Sequence, residues 1–247
     1  MARLPTLLLL PFLARGAALT LHVKAGPDGR ANGDCPFAHA LRMAIEHKGL
    51  EYTLAPHAPD AKPNWLVREH GGSMPCLVDG DSVVTESSVI ADFLDERYPS
   101  PSLSPEGLEA AEAARAPVFG SFARYCKSAD AEADAELKKA LLLALCNLDA
   151  HLEKAAAPFA AGASLSRCDC FLLPALYHIR VAGAAFKGFE IPPQFTALNA
   201  YMDAMFESDL LYRTAPQPPM VKWGWANARG DAEAVERAIG ELKLPAA

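Results

Sequence analysis

A proline-rich segment divides this 247-residue chain into two parts with different sequence patterns. The segment covers residues 99–105 (PSPSLSP), and prolines at that density preclude a regular helix or a fully paired strand. Before it, strand-like and helix-like stretches alternate. After it, alanine and leucine recur at helical spacing. The sequence therefore predicts an α/β unit followed by an all-helical unit.

The expected elements follow from hydrophobic periodicity and turn residues. Strands are predicted over 19–25, 51–54, 76–78 and 82–85, and helices over 37–48, 62–69 and 87–98, which gives the order β-α-β-α-β-β-α. Further helices are predicted over 105–126, 130–156, 165–183, 193–207 and 231–243. The turn residues Asp79-Gly80-Asp81 predict a hairpin between the last two strands, and Ser166 with Asp169 three residues on predicts a capping box at a buried helix start. We expect an N-terminal extension over 1–18, an α/β domain over 19–98, a linker over 99–105 and a helical domain over 106–247.

Cys35 stands at the start of the first predicted helix. Pro36 follows it, and proline suits the first helical position because its missing N–H would have no partner there. Backbone N–H groups and the helix dipole at such a position stabilise a thiolate, so we expect a lowered pKa and a reactive thiol. The alternative is a small buried residue, as most free cysteines are.

Composition excludes several other kinds of function. The chain carries 30 acidic and 23 basic residues with no basic run, which argues against a nucleic-acid partner. Its six cysteines form no C-x-x-C pair and no metal-ligand spacing, so we expect a reducing compartment and no metal site.

The first 18 residues have the character of a targeting segment. No acidic residue precedes Asp28, and Arg3 and Arg15 flank a leucine-rich stretch far shorter than the roughly 20 residues that span a bilayer. A reactive unpaired thiol suits the cell exterior poorly, so a transit peptide fits better than a secretory signal. We expect a chloroplast location, with the cytoplasm as the alternative. The remaining possibility is an N-terminal extension without a targeting function.

Four features occur together in this chain: the helix-start cysteine, the proline of Ser73-Met74-Pro75, the Glu86-Ser87 pair opening the third helix, and the helical second domain. Together they resemble the cytosolic glutathione transferase superfamily. A more specific set of segments consists of Lys24-Ala25, Gly33-Asp34-Cys35-Pro36-Phe37, Lys62-Pro63-Asn64-Trp65, Leu173-Pro174-Ala175-Leu176-Tyr177-His178 and Trp223-Gly224-Trp225, the last best aligned at Trp225. With these segments the chain looks most like plant and algal dehydroascorbate reductases. The resemblance covers nearly the whole chain and implies a thioredoxin-like domain followed by an all-helical domain.

The resemblance implies glutathione as the co-substrate. In this superfamily the bond before Pro75 is cis, which would present the backbone of Met74 to the cysteinyl part of glutathione. Glu86 and Ser87 would receive the γ-glutamyl group, its carboxylate at the helix N–H groups and its ammonium at Glu86. Lys62 would meet the glycyl carboxylate. Without that context, the Glu86-Ser87 pair would be interpreted as a simple helix cap.

The same resemblance implies dehydroascorbate, an uncharged polyoxygenated ring, as the oxidised substrate. Lys24 and Asp34 are the charged candidates beside the thiol, where Lys24 would favour the thiolate and Asp34 would oppose it. Phe37, His178 and Trp225 are expected to line the open side of the substrate site. A purely structural role in the hydrophobic core would explain Phe37 and Trp225 nearly as well as a role in the substrate site.

Ala38 stands where a C-x-x-C protein has its resolving cysteine, so the second thiol must come from glutathione. The resemblance implies that Cys35 reduces dehydroascorbate to ascorbate and becomes a sulfenic acid or a thiol adduct. Two glutathione molecules would then restore the thiol through a mixed disulfide.

Other functions remain open at this point. An omega-like glutathione-dependent thioltransferase or deglutathionylase would use the same thiol and pocket. Intracellular chloride channel proteins share the fold and the cysteine position, but the first helix carries His39, Arg42 and Glu46, which suit a bilayer poorly. We therefore expect no stable membrane insertion. A non-catalytic interaction module is disfavoured because the set of site residues is intact. The resemblance to dehydroascorbate reductases also implies a monomer.

Overall fold

A computed structural model describes residues 19–243 of the chain, so the predicted targeting segment 1–18 lies outside the described residues. Its sheet has four strands in the order β2-β1-β3-β4. The strands are β1 (Leu19–Lys24), β2 (Tyr52–His57), β3 (Cys76–Asp79) and β4 (Ser82–Thr85). Strand β1 is parallel to β2 and antiparallel to β3, and β3 and β4 form the hairpin that the turn residues predict.

Three helices accompany the sheet: α1 (Pro36–His47), α2 (Asn64–His70) and α3 (Ser87–Arg97). Helix α1 is the crossover that parallel strands β1 and β2 require. Its apolar residues at helical spacing, Leu41, Ala44 and Ile45, are buried at 0–1% exposure. The α/β order expected for the first part is therefore confirmed, with β2 extending three residues beyond its predicted end.

Helices fill the rest of the described chain. They are α4 (Leu108–Lys127), α5 (Ala131–Ala155), α6 (Arg167–His178), α7 (Ala184–Lys187), α8 (Thr196–Phe206), α9 (Asp209–Thr214), α10 (Pro218–Arg229) and α11 (Ala232–Glu241), with a π-helical turn at Ile179–Gly183 between α6 and α7. The sequence did not predict α7, α9 and α10. Helices α7 and α9 have only 4 and 6 residues, and the prolines at 216, 218 and 219 interrupt the helical pattern where α10 begins.

A buried carboxylate fixes the start of α6. The side chain of Ser166 accepts from the backbone N–H of Asp169, and the Asp169 carboxylate accepts from the backbone N–H of Ser166, which is the predicted capping box. The other oxygen of Asp169 accepts from the backbone N–H of Ala160 and the hydroxyl of Tyr201, both at 2.8 Å. Asp169 therefore serves folding.

Helix α1 is fixed to the helical part of the molecule by polar contacts as well as by packing. Arg42 donates from one guanidinium nitrogen to the carbonyl of Thr214 at 2.7 Å and from another to the carbonyl of Arg213 at 3.1 Å. The buried ring of His39 lies 3.1 Å from the Thr214 hydroxyl through its Nε2 atom. The helix that begins at Cys35 is thus held by both parts of the chain.

No helix within residues 19–243 is long and apolar enough to cross a membrane. The same residues contain no group of three or more His, Cys, Asp or Glu side chains that could hold a metal ion.

Candidate active site

The strand register brings three separate segments to one edge of the sheet. Cys76 of β3 pairs with His22 near the end of β1 on one side and with Thr85 at the end of β4 on the other. The Met74-Pro75 bond just before β3 is cis, as the resemblance implies. The loop after β1, the cis-proline and the start of α3 therefore lie together, and α1 begins beside them.

Cys35 occupies the N-cap position of α1, as the sequence predicts. Its backbone is extended (φ −62°, ψ 116°), and Pro36 takes the first helical position. The carbonyl of Cys35 accepts the first helical hydrogen bond, from His39 N–H at 3.1 Å. The thiol itself is partly buried against the apolar core.

The pKa of Cys35 differs from the expectation. Burial is the largest influence and raises the pKa above its ordinary value. The backbone N–H groups of Ala38 and Phe37 lower it and so does Lys24, whereas Asp34 raises it. The helix start therefore acts in the expected direction, but the prediction of a lowered pKa is wrong because desolvation outweighs it.

Lys24 and Asp34 form an ion pair next to the thiol. The ammonium Nζ lies 2.7 Å from Asp34 Oδ1, with the two side chains 40% and 14% exposed. The pairing satisfies both charges and fixes them at the loop that precedes Cys35. The loop also depends on Gly33, whose N–H donates to the carbonyl of Lys24 at 2.8 Å and whose Cβ, if present, would lie 2.6 Å from that oxygen.

His178 is buried beside this ion pair, at 1% exposure. The indole N–H of Trp225 donates to its Nδ1 at 3.0 Å, so Nδ1 carries no proton. Burial lowers the pKa of His178 to about 4, although Asp34 works in the opposite direction. The ring is therefore neutral at pH 7 with its proton on Nε2. Within residues 19–243 that buried Nε2 makes no hydrogen bond of normal geometry, although the backbone of Asp34 is close enough to the ring to raise its pKa.

His39 is a second buried histidine. Burial holds its pKa well below the usual value, and the neighbouring His178 lowers it further. Because α1 packs on α6, the two rings lie at the junction of the α/β and helical parts. Both are neutral around pH 7.

An aromatic cluster closes one side of the site. The ring of Phe119 lies 5.6 Å from Phe37, 6.1 Å from His178 and 6.2 Å from Trp225, measured between centroids. Phe37 is 42% exposed and Trp225 only 6%. Of the three residues expected to line the open side, Phe37 lies at the surface, whereas His178 and Trp225 form the inner wall.

A cavity of about 180 Å³ lies between these groups. Its lining consists of Lys24, Asp34, Pro36, Phe119, Lys127, His178, Gly224, Trp225 and Ala228. Four of these lining residues were not predicted from the sequence: Phe119, Lys127, Gly224 and Ala228. Phe119 and Lys127 lie within the regular pattern of α4 and carry no local signal, whereas Gly224 stands in the Trp-Gly-Trp motif that the sequence does show.

The remaining predicted residues lie around the cis-proline. Glu86 is exposed and adopts a left-handed φ of 68° immediately before α3, a costly conformation for a residue with a side chain. The hydroxyl of Ser73 donates to the Glu86 carboxylate at 3.2 Å. Lys62 donates to the carbonyl of Gly72 at 2.8 Å, which places its ammonium on the loop leading to Met74.

Comparison with known proteins agrees with this geometry. The model of the glutathione S-transferase N-terminal domain matches residues 34–97, and the model of the C-terminal domain of the same family matches residues 110–209. The chain belongs to the glutathione S-transferase family.

The similar proteins include members of one branch of that family. The chain is 34% identical to the probable glutathione S-transferase DHAR1, cytosolic, of Oryza sativa subsp. japonica over 78% of this chain and 90% of that one. It is 32% identical to the glutathione S-transferase DHAR2 of Arabidopsis thaliana over 78% and 89%. The resemblance inferred from the sequence motifs is confirmed.

Two solved structures have folds similar to that of this chain. The dehydroascorbate reductase of Chlamydomonas reinhardtii matches with a TM-score of 0.74 and 32% identity, covering 85% of this chain and 98% of that one. The C. elegans homologue of the CLIC proteins, EXC-4, matches with a TM-score of 0.71 at 19% identity, covering 88% and 85%. At that identity the second likeness shows a common fold only.

Proposed function

We propose that this protein is a glutathione-dependent dehydroascorbate reductase that works through Cys35. The observation that carries the proposal is the position of Cys35 at the start of α1. Its chain neighbours Asp34 and Pro36 line a small cavity with polar groups in its wall, and the sheet has a cis-proline at the edge suited to glutathione. A glutathione S-transferase with a cysteine at this position suits thiol–disulfide chemistry, because a thiol would itself form a disulfide with glutathione.

The glutathione half of the site is assigned to the cis-proline edge. The backbone of Met74, ahead of Pro75, would pair with the cysteinyl part of glutathione, as an added strand pairs with a sheet edge. The N–H groups at Ser87 and the next residue would bind the γ-glutamyl carboxylate, and Glu86 its ammonium. The ammonium of Lys62, already on the neighbouring loop, would bind the glycyl carboxylate.

The dehydroascorbate half is assigned to the 180 Å³ cavity. Dehydroascorbate offers carbonyl oxygens as acceptors and hydroxyl groups as donors. The Nε2–H of His178 and the ammonium of Lys24 supply donors, and the carboxylate of Asp34 supplies an acceptor. Trp225 sets which nitrogen of His178 carries the proton. Phe37, which was also expected to contact the substrate, is not among the residues that line the cavity.

The proposed chemistry is balanced by two molecules of glutathione. The Cys35 thiolate attacks a carbonyl carbon of dehydroascorbate and forms a C–S bond. A first glutathione thiol attacks the sulfur of that adduct, which breaks the C–S bond, releases ascorbate and leaves a Cys35–glutathione disulfide. If water attacks the sulfur instead, Cys35 becomes a sulfenic acid, which glutathione converts to the same disulfide with loss of water. A second glutathione then releases oxidised glutathione and restores the thiol.

The direct test replaces the thiol. Cys35→Ser should lower the rate of ascorbate formation from dehydroascorbate and glutathione by about 10³-fold or more, after subtraction of the uncatalysed reaction, because the nucleophile is lost. Cys146→Ser removes an exposed cysteine far along α5 and serves as the matched control, with activity unchanged. Wild-type turnover in Cys35→Ser would exclude the proposed mechanism.

A glutathione-dependent thioltransferase would use the same thiol, so a comparison of substrates separates the two functions. A volume of about 180 Å³ with an ion pair and a histidine in its wall suits a small polar ring better than the peptide of a glutathionylated protein. We expect kcat/KM for dehydroascorbate to exceed that for a glutathionylated peptide. The reverse order would make the thioltransferase the principal activity.

The similar proteins include cytosolic and chloroplastic forms. For this chain we propose the chloroplast, on the composition of residues 1–18, and a monomer as the working unit. Import of a fluorescent protein fused to residues 1–30 tests the location, and light scattering of the purified protein tests the oligomeric state.

A further inference from the structure

Helix α10 presents three consecutive residues to three polar groups of the site. The ammonium of Lys24 lies over the ring of Trp223, 4.9 Å from its centroid. Gly224 faces the carboxylate of Asp34, and Trp225 donates to the buried histidine of the cavity wall. The first of these contacts has no part in the proposed reaction.

The approach at Gly224 shows how closely α10 covers the ion pair. A Cβ at this position would lie 1.7 Å from Oδ2 and 2.1 Å from Cγ of Asp34, so only glycine fits. The carboxylate of Asp34 thus packs directly against the backbone of α10.

Lys24 has fewer constraints of this kind. Its side chain is 40% exposed, and within the described chain its ammonium donates to one acceptor, Asp34 Oδ1 at 2.7 Å. Long lysine side chains lose appreciable rotamer freedom when they are held in one place, so an exposed ion pair alone orders them weakly. The face of an indole ring attracts an ammonium and fixes a second point on its path.

We propose that Trp223 is a positioning residue, which holds the ammonium of Lys24 against Asp34 and beside Cys35. The inference rests on the proposed function, since it assigns Trp223 a part in preparing the same thiol for its substrate. Without the ring, Lys24 extends into solvent and Asp34 loses its counter-charge. Because Lys24 lowers the pKa of Cys35 and Asp34 raises it, the thiolate then becomes scarcer at neutral pH.

The experiment measures the alkylation of Cys35 by iodoacetamide between pH 6 and 9, in a Cys146→Ser background that removes the exposed competitor. Trp223→Leu should reduce the rate at pH 7 by about 2- to 5-fold and shift the profile to higher pH, in line with the usual strength of a cation–π contact. Trp223→Phe keeps an aromatic face and should recover most of the rate. Tyr212→Leu, which changes an aromatic residue that is 86% exposed, is the control and should have no effect.

A double-mutant cycle with Lys24→Met separates positioning from packing. If Trp223 acts through Lys24, adding Trp223→Leu to Lys24→Met produces no further loss of alkylation rate. An equal loss in both backgrounds, or no change on Trp223→Leu, overturns the proposal. If Trp223→Leu does not fold, Trp223→Gln replaces it in the same cycle.

The readout also distinguishes this inference from the proposed function. Alkylation needs neither dehydroascorbate nor glutathione, so a protein without reductase activity still tests the role of Trp223. If the activity is present, Trp223→Leu should raise the KM for dehydroascorbate by about 2- to 5-fold through Lys24, and leave the KM for glutathione unchanged.

Discussion

The two halves of the proposed site are built from different parts of the molecule. The glutathione half combines backbone groups at a sheet edge and a helix start with the side chains of Lys62 and Glu86, of which Glu86 is exposed. The dehydroascorbate half consists of side chains from β1, α4, α6 and α10, of which His178 and Trp225 are buried. The first half is a product of local chain geometry, whereas the second exists only when the α/β and helical parts pack together.

The thiol belongs to both halves. The pH dependence of its reactivity shows whether burial or the start of α1 has the larger effect on its pKa. Because burial raises the pKa of Cys35, the thiolate fraction should rise about tenfold per pH unit through the neutral range, or about 100-fold from pH 6 to pH 8. The alkylation rate in the Cys146→Ser background checks this directly. A plateau already reached at pH 7 would show that the helix start dominates, and the pKa would then be low.

Lys62→Met tests whether the glutathione half binds its substrate independently of the dehydroascorbate half. We expect the KM for glutathione to rise by about tenfold, because a hydrogen bond to a charged group contributes about 1.5–3 kcal/mol and part of this is screened by solvent. The KM for dehydroascorbate should stay unchanged in steady-state assays. Lys62→Arg keeps the charge and should lose less, and equal changes in both KM values would contradict the division into halves.

Trp225→Phe is the corresponding test on the other side. The substitution removes the indole N–H that holds the tautomer of His178, so the KM for dehydroascorbate should rise by about 3- to 10-fold while the KM for glutathione is unaffected. Initial rates at varied concentrations of each substrate measure both quantities. An unchanged KM for dehydroascorbate would remove His178 Nε2 from the substrate contacts.

The same contrast explains how much of the molecule the sequence predicts. Strands, the β3–β4 turn and the capping box at Ser166 depend on neighbouring residues, and all three agree with the structure. The cis bond at Pro75 follows from the family motif. The sheet edge and the cis bond are features from which the glutathione half is made, whereas the capping box belongs to α6.

The second half escapes prediction because its parts are far apart in the chain. Lys24 and Trp223 are separated by almost the whole described sequence, and no local pattern indicates that they meet. The error in the pKa of Cys35 has the same origin. The dipole at the helix start is visible in the Cys-Pro dipeptide, whereas the burial that outweighs it depends on tertiary packing.

The two neutral histidines at the junction have a consequence for folding. In the unfolded chain His39 and His178 accept protons below about pH 6.5, but in the folded protein their pKa values are lowered, that of His178 to about 4. The unfolded state therefore binds more protons, so the free energy of unfolding is greatest above pH 6.5. It should fall as the solution is acidified from pH 6.5 towards pH 4, where the folded-state pKa of His178 lies, and His39 contributes in the same direction. The free energy of unfolding, measured with urea at pH 7 and at pH 5, should differ less between the two pH values in His178→Gln than in the wild type. Mild acid would then be a condition that weakens the packing between the α/β and helical parts.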